Sequence, residues 1–284
     1  MNVPVPGKRL LTCLYATVPD RRPCPTPLLV VTALKDEAAR ICRGMHHPGM
    51  APLQPRGGQA LVDLIDRELS LPVSPGSNIP GRVDVAYVGP GKVGSALLVA
   101  LLEKGIYRTV CFCGLAGGLS PALRPGDVVA GSAVRSPGSS EYPVSLMFPT
   151  GRFIHPGVIL SVDRLVALSA EKIFLHSTEG ADTVDMESYS WIGCAEKAKV
   201  PAFVLRVISD GATESLPPEL ISFVTPSGET NIPGILRAVL FRPAILTALW
   251  SMGRSIRLAR ARLSELGALL WDCASSGSFP EGVR

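Results

Sequence analysis

From residue 28 onward, short apolar runs alternate with amphipathic or polar stretches. Leu28-Leu29-Val30-Val31 is β-rich and uniformly apolar, which predicts a buried strand, and Lys35–Arg43 carries helical spacing. Residues 46–60 are rich in Pro and Gly and predict a loop, with a short helix over Leu61–Leu69. Val83–Val88 predicts a strand running into Gly89-Pro90-Gly91-Lys92, followed by a helix over Val93–Lys104. Thr109–Cys113 predicts a strand that enters the glycine-rich loop 114–118. Asp127–Ala130 and Val134 suggest strands around a turn, and Ile159–Ser161 a short strand. Thr183-Val184-Asp185 leads into a helix over Met186–Ala198, and Ala202–Val207 is a strand ending at Ile208-Ser209-Asp210. Strands separated by helical spans predict a three-layer α/β fold. Ligands in such folds bind beyond the carboxyl ends of the strands. Polar or glycine-rich positions recur there: Glu37, 89–92, 114–118, Glu187 and Asp210.

The flanks differ from this body. Residues 1–27 are broken by six prolines and predict a poorly ordered arm. A signal peptide is the competing reading, but the apolar run Leu10–Val18 is short and interrupted by Thr12, Tyr15 and Thr17. The predicted organisation is an arm over 1–27, a catalytic domain over 28–229, a basic amphipathic helical extension over 230–270 and a flexible tail over 271–284.

The 284 residues are 46% hydrophobic and 18% charged, which excludes a disordered chain. No uninterrupted apolar stretch is long enough for a transmembrane helix. Seven scattered cysteines without a CxxC pair fit reduced thiols in a cytoplasmic enzyme. Four histidines without paired ligand spacing give no reason to expect a metal, and no organic cofactor is implied. The net charge of +4 sits at the two ends, leaving 28–229 slightly acidic. Aromatics total 6% and do not interleave with basic residues, so no nucleic-acid groove is expected.

The candidate chemistry lies in several short segments. Gly89-Pro90-Gly91-Lys92 matches neither a dinucleotide fingerprint nor a P-loop and reads equally as a tight turn. Small residues over Gly114–Gly118 would let backbone N–H groups approach a ligand. Asp185 and Glu187 sit at a helix start, where acids also serve to compensate the dipole. Glu187 could accept hydrogen bonds from vicinal hydroxyls. Asp210 ends an apolar strand, where a turn or cap role is the alternative.

In their order along the chain, these pieces resemble the purine nucleoside phosphorylase and nucleosidase superfamily. The segments that carry the resemblance are Ala33-Leu34-Lys35-Asp36-Glu37, Gly89–Val93, Gly114–Leu119, Gly126-Asp127-Val128-Val129, Ser161-Val162-Asp163, Val184-Asp185-Met186-Glu187 and Arg206-Val207-Ile208-Ser209-Asp210. Together they span about 28–215. The chain is similar to methylthioadenosine/adenosylhomocysteine nucleosidases. It is more similar still to hopanoid-associated phosphorylases, through Ile159–Arg164, Leu216-Pro217-Pro218 and the arginine-rich tail. The resemblance implies a central mixed sheet, a homo-oligomer (a dimer first), and cleavage of the N-glycosidic bond of an adenosine-containing substrate. Adenosylhopane is the favoured substrate; a small-nucleoside nucleosidase and a non-catalytic nucleoside- or lipid-binding protein are the rivals. It further implies Asp210 as the acid at purine N7, Glu37 as the base that activates water, and Arg206 beside the nucleophile. Glu187 would hold the ribose hydroxyls with Met186 against the sugar. Leu165 and Val166 would line the base, although Leu165 stands where the family often has Phe, and Ala116 and Gly117 would be further substrate-binding positions. Phe112 and Leu115 stand where phosphorylases commonly carry an arginine and a serine that hold phosphate. That departure favours water over phosphate as the nucleophile.

The tail adds a second kind of partner. Ile245, Leu249, Met252, Ile256, Ala259, Leu263, Leu266 and Leu270 form one apolar stripe, and six arginines lie between 237 and 262. Such a helix over 234–270 suits an anionic membrane surface, a peripheral seat on the inner membrane face. Packing on the body or on a second subunit is the equal alternative. Because every catalytic match lies before residue 215, the tail is expected to be separable from the body.

Overall fold

The computed structural model describes residues 27–45, 54–69, 83–89, 91–144, 153–216 and 245–276. The elements in order are β1 (Leu28–Thr32), α1 (Lys35–Gly44), β2 (Arg56–Gly57), α2 (Gly58–Leu69), β3 (Val83–Tyr87), α3 (Gly91–Leu102), β4 (Thr109–Gly118) and β5 (Val128–Arg135). They continue with β6 (Tyr142–Pro143), β7 (Ile154–Ser161), α4 (Ser169–Glu179), β8 (Thr183–Asp185), α5 (Ser188–Lys197), β9 (Ala202–Asp210) and α6 (Ile245–Ser276).

One mixed sheet runs β2-β3-β1-β4-β8-β7-β5-β6, with β9 pairing both β4 and β5. These pairings close a ring: β4 to β8, β7, β5, β9 and back to β4. The central strands are apolar along their whole length because both faces are covered; Leu28 through Val31 and Val110 through Cys113 are fully buried. The expected α/β architecture with a central mixed sheet is present. Two helix groups cover it, α1 with α6 and α2 with α3 and α5.

Several expected boundaries move. The loop expected over 46–60 gives way to β2 and to α2, which begins at Gly58. The expected loop 114–118 is strand: β4 runs through Gly118. Strand neighbours on both sides hold the glycine run extended, Leu115 opposite Val207 and Gly117 opposite Val184. Residues 128–135 form one strand rather than two around a turn, and β7 begins five residues earlier than expected. The α4 helix lies in a stretch for which no element was expected. The predicted arm over 1–27, all but Pro27, and the predicted boundary at 229/230 fall outside the described residues.

The C-terminal helix is part of the body. Ala259, Leu263, Leu266, Leu270, Trp271 and Ala274 are buried in the main core. A Cβ on Gly44 would lie 1.7 Å from Ser264 O, and one on Gly267 would lie 2.2 Å from Ile41 O, so α1 and α6 cross backbone against backbone. Arg260 pairs with Asp36 at 2.9 Å. Arg262 donates to Gly126 O at 2.9 Å and stacks 4.0 Å over the Phe153 ring. From Ala259 onward, the stripe that could enter a headgroup boundary is therefore spent on the protein's own core. The helix also continues through Ser276 rather than giving way to a tail at 271. This corrects the expected separability of 234–270. Among the described residues, no helix is long and apolar enough to cross a membrane.

Candidate functional site

Glu37 is the third residue of α1, where a carboxylate can reach back over the helix start. Its Oε2 accepts the Leu34 N–H at 3.0 Å and its Oε1 accepts the Leu115 N–H of β4 at 2.9 Å. Burial pushes the Glu37 carboxyl up from its ordinary value, against the pull of those amides and of Arg206.

Arg206 is the hub of the cluster. It lies on β9 opposite Gly114, and a Cβ on Gly114 would sit 2.6 Å from Arg206 Nη1 and 3.1 Å from Glu37 Oε1. Glycine is required there so that two functional side chains can cross the strand. The guanidinium is buried. Its Nε lies 2.7 Å from Asp185 Oδ2, and Nε and Nη2 donate to Ser188 Oγ at 3.1 and 2.8 Å. Asp185 also accepts the hydroxyls of Ser161 and Ser188 and the Ser188 N–H, so it both caps α5 and holds Arg206. Trp191 lies 5.7 Å from the guanidinium and packs on Phe112 at 5.5 Å, forming an aromatic wall behind it.

Glu187 occupies the N-cap position of α5 rather than a helical one, because α5 begins at Ser188. It is 8% exposed. Burial pushes its carboxyl up to about 7; Arg206 opposes the rise, while Asp185 and Glu37 add to it. Glu37, Arg206 and Glu187 thus form one electrostatic unit.

Asp210 stands at the end of the same strand. The β4–β9 register slips between Ala116 and Gly117, so Ala116 faces Ile208 and Gly117 faces Asp210. The bulge leaves Ser209 unopposed and re-aims Asp210. A Cβ on Gly117 would lie 3.4 Å from Asp210 Oδ2, so Asp210 stands at contact distance over this glycine. Asp210 Oδ2 pairs with the Lys172 ammonium, and Oδ1 accepts from the Ser209 hydroxyl.

The other expected substrate-binding positions divide. Leu165 and Met186 are exposed, at 42% and 44%, whereas Val166 is buried in a satellite core with Leu119, Leu160, Ala181 and Val184. Ala116 O and Gly117 O accept from Ser209 Oγ and Thr183 Oγ1, at 3.1 and 2.7 Å. Sequence reasoning missed Lys172, Ser161 and Ser188 as parts of the site. Among the described residues, no group of three or more His, Cys, Asp or Glu could hold a metal ion.

The profile of the Phosphorylase superfamily matches residues 27–240, which takes in every acid described above. The chain belongs to this superfamily. An aminodeoxyfutalosine nucleosidase of Helicobacter pylori strain 26695 is 30% identical over 177 residues, 53% of this chain and 76% of that protein. The one from Campylobacter jejuni is 25% identical over 179 residues, 54% and 78% of the two chains. Among solved structures, a futalosine hydrolase mutant of Helicobacter pylori superposes with a TM-score of 0.54 at 19% identity, over 87% of this chain and 99% of that one. The 5'-methylthioadenosine/S-adenosylhomocysteine nucleosidase of Neisseria meningitidis, in complex with methylthio-immucillin-A, gives 0.53 at 17% identity over the same shares. At those identities the superpositions speak for the fold. In this superfamily member, the ring of strands gathers Ser161, Asp185, Arg206 and Asp210, and α1 adds Glu37.

Proposed function

We propose that this superfamily member hydrolyses the N-glycosidic bond of an adenosine-containing substrate. Two acidic stations suit the two halves of a nucleoside: Glu37 and Glu187 around Arg206 for ribose and nucleophile, and Asp210 for the base. Water gives its proton to Glu37 as its oxygen bonds C1′. The C1′–N9 electron pair passes into the purine, and Asp210 delivers a proton to N7. A base works best with a pKa near the operating pH, which the raised Glu37 carboxyl serves. Glu187 accepts hydrogen bonds from the ribose hydroxyls.

The observation that carries hydrolysis over phosphorolysis is that the groups a phosphate would need are already engaged. The Leu115 amide is bonded to Glu37, and Arg206 is bonded to Asp185 and Ser188. Phe112 and Leu115 bring no charge or hydroxyl to that corner. The favoured substrate is adenosylhopane, supported by the resemblance and by the exposure of the apolar Leu165 and Met186. A second reading, aminodeoxyfutalosine or methylthioadenosine as substrate, is favoured by the names of the similar nucleosidases.

The test is adenine release from adenosylhopane, methylthioadenosine and aminodeoxyfutalosine in phosphate-free buffer made with oxygen-18 water. Label entering the C1′ hydroxyl is expected. Strict phosphate dependence with a ribose 1-phosphate product overturns hydrolysis, and no adenine from any of the three overturns the nucleosidase assignment.

A further inference from the structure

Beside the Arg206 cluster, the leaving-group acid Asp210 belongs to a buried charge pair whose other member, Lys172, has no part in the chemistry above. Lys172, in the first turn of α4, is fully buried. Its ammonium pairs with Asp210 Oδ2 and donates to Gly211 O at 3.0 Å and Glu214 O at 2.8 Å. An ammonium carries three N–H donors and no acceptor, and these three acceptors use all of them. All three belong to residues 210–214, so one side chain fastens the carboxylate together with the segment that leaves β9. That segment is tied to the start of α4 a second time, by Leu216 N–H to Ala167 O at 2.8 Å and Ser169 N–H to Ser215 Oγ at 3.0 Å. Burying an ammonium is costly even when paired, and holding a loop requires only neutral donors. The charge itself therefore calls for a use.

The two oxygens of Asp210 are not equivalent. Oδ2 is committed to Lys172. Oδ1 faces the Ser209 hydroxyl, which has a single hydrogen and a second acceptor within reach, Ala116 O at 3.1 Å. Turning that hydrogen to Ala116 lets Oδ1 carry a proton, with Ser209 Oγ now accepting.

We propose that Lys172 is a positioning residue for leaving-group activation: it fixes Oδ2 so that Oδ1 meets the purine, and it stabilises the carboxylate left when Oδ1 gives up its proton. This rests on the nucleosidase assignment above. In the step, the Oδ1–H bond breaks and N7–H forms as the C1′–N9 electron pair enters the base. Asp210 ends as a carboxylate paired with Lys172, which keeps all three of its hydrogens. The proton that Glu37 takes from water returns through solvent to Oδ1, and the balance closes.

The test compares wild type, Lys172→Met and Lys172→Arg on methylthioadenosine and on 4-nitrophenyl riboside, whose phenolate departs without protonation. Lys172→Met should lower kcat for adenine release on the order of 10²-fold, the scale of general acid catalysis, with KM little changed. The nitrophenyl riboside rate should stay near wild type, and Lys172→Arg, which keeps a cation at the carboxylate, should recover part of the loss. Equal losses on both substrates, or no loss on either, overturn the role. Should Lys172→Met fail to fold, Lys172→Arg decides by the same comparison, a purine-selective loss supporting the role and an unselective effect or none refuting it. Where methylthioadenosine is not turned over, the same comparison is made on adenosylhopane or aminodeoxyfutalosine; a wild type that releases no adenine from any of the three overturns the nucleosidase assignment itself, and the role with it.

Discussion

Glu187→Gln should make the protein less active and, as pH rises from about 4.5 through about 7, progressively more stable than wild type. The Glu187 carboxyl titrates near 7 in the fold because it is buried; unfolded, it returns to the ordinary value of about 4.5. A folded value above the unfolded one means that the contribution to stability is fully present below the ordinary value and lost as pH rises through about 7. The gap, at about 1.4 kcal/mol per tenfold, comes to about 3 kcal/mol at pH 8. With 8% exposure, little of this is screened by solvent. Glutamine has no charge to bury, so the variant should exceed wild type at pH 8 by up to about 3 kcal/mol, or roughly 6–12 °C in Tm for a chain of this size. At pH 5 the two should differ little. Thermal and urea melts at both pH values check this, alongside adenine release, which should fall because an amide accepts the ribose hydroxyls less well. A variant less stable than wild type at pH 8, or a gain of equal size at both pH values, refutes the reasoning.

Other expectations follow from the same contacts. Asp210→Asn should cut adenine release by at least about 10²-fold. It should also lower Tm, because the Lys172 ammonium is left buried without its counter-charge; a turnover close to wild type removes Asp210 from the mechanism. Asp185→Ala should cost about 3–5 kcal/mol in denaturant melts by stranding Arg206, and a change under about 1 kcal/mol would mean that Arg206 finds another partner. Gly267→Ala should destabilise by about 3 kcal/mol, since its Cβ has nowhere to go against Ile41 O. For the same reason, truncation ahead of α6 should unfold the body rather than spare its activity, measurable by circular dichroism and adenine release.

The strands of the core and the acids at their ends were legible because a buried strand is apolar throughout and an acid at its end breaks the run. The α4 helix was not, since its burial is inverted: Lys172 points inward while Ile173 and Phe174 are 51% and 61% exposed. No periodicity rule finds a helix whose buried member is its lysine. The glycine run 114–118 looked like a ligand loop. Instead, Gly114 clears space for Arg206 and Glu37, a demand set by the neighbouring strand and helix and invisible along the chain. The apolar stripe of α6 is buried at Ala259, Leu263, Leu266 and Leu270, a destination that periodicity leaves open and that the contacts of Gly44 and Gly267 with the facing backbone decide.

The closed circuit of β4, β8, β7, β5 and β9 bears on how such a protein can change. Each of its members is hydrogen-bonded on both sides, so moving one strand by a residue would require all five to move together. Ser161, Asp185, Arg206 and Asp210 are locked into that circuit. Among the described residues, altered preference for what lies beyond the sugar is then expected from the short stretches that leave it, 162–168, Met186 and 211–216. A mutagenesis library meant to retune substrate choice should be confined to those stretches and leave the strands untouched.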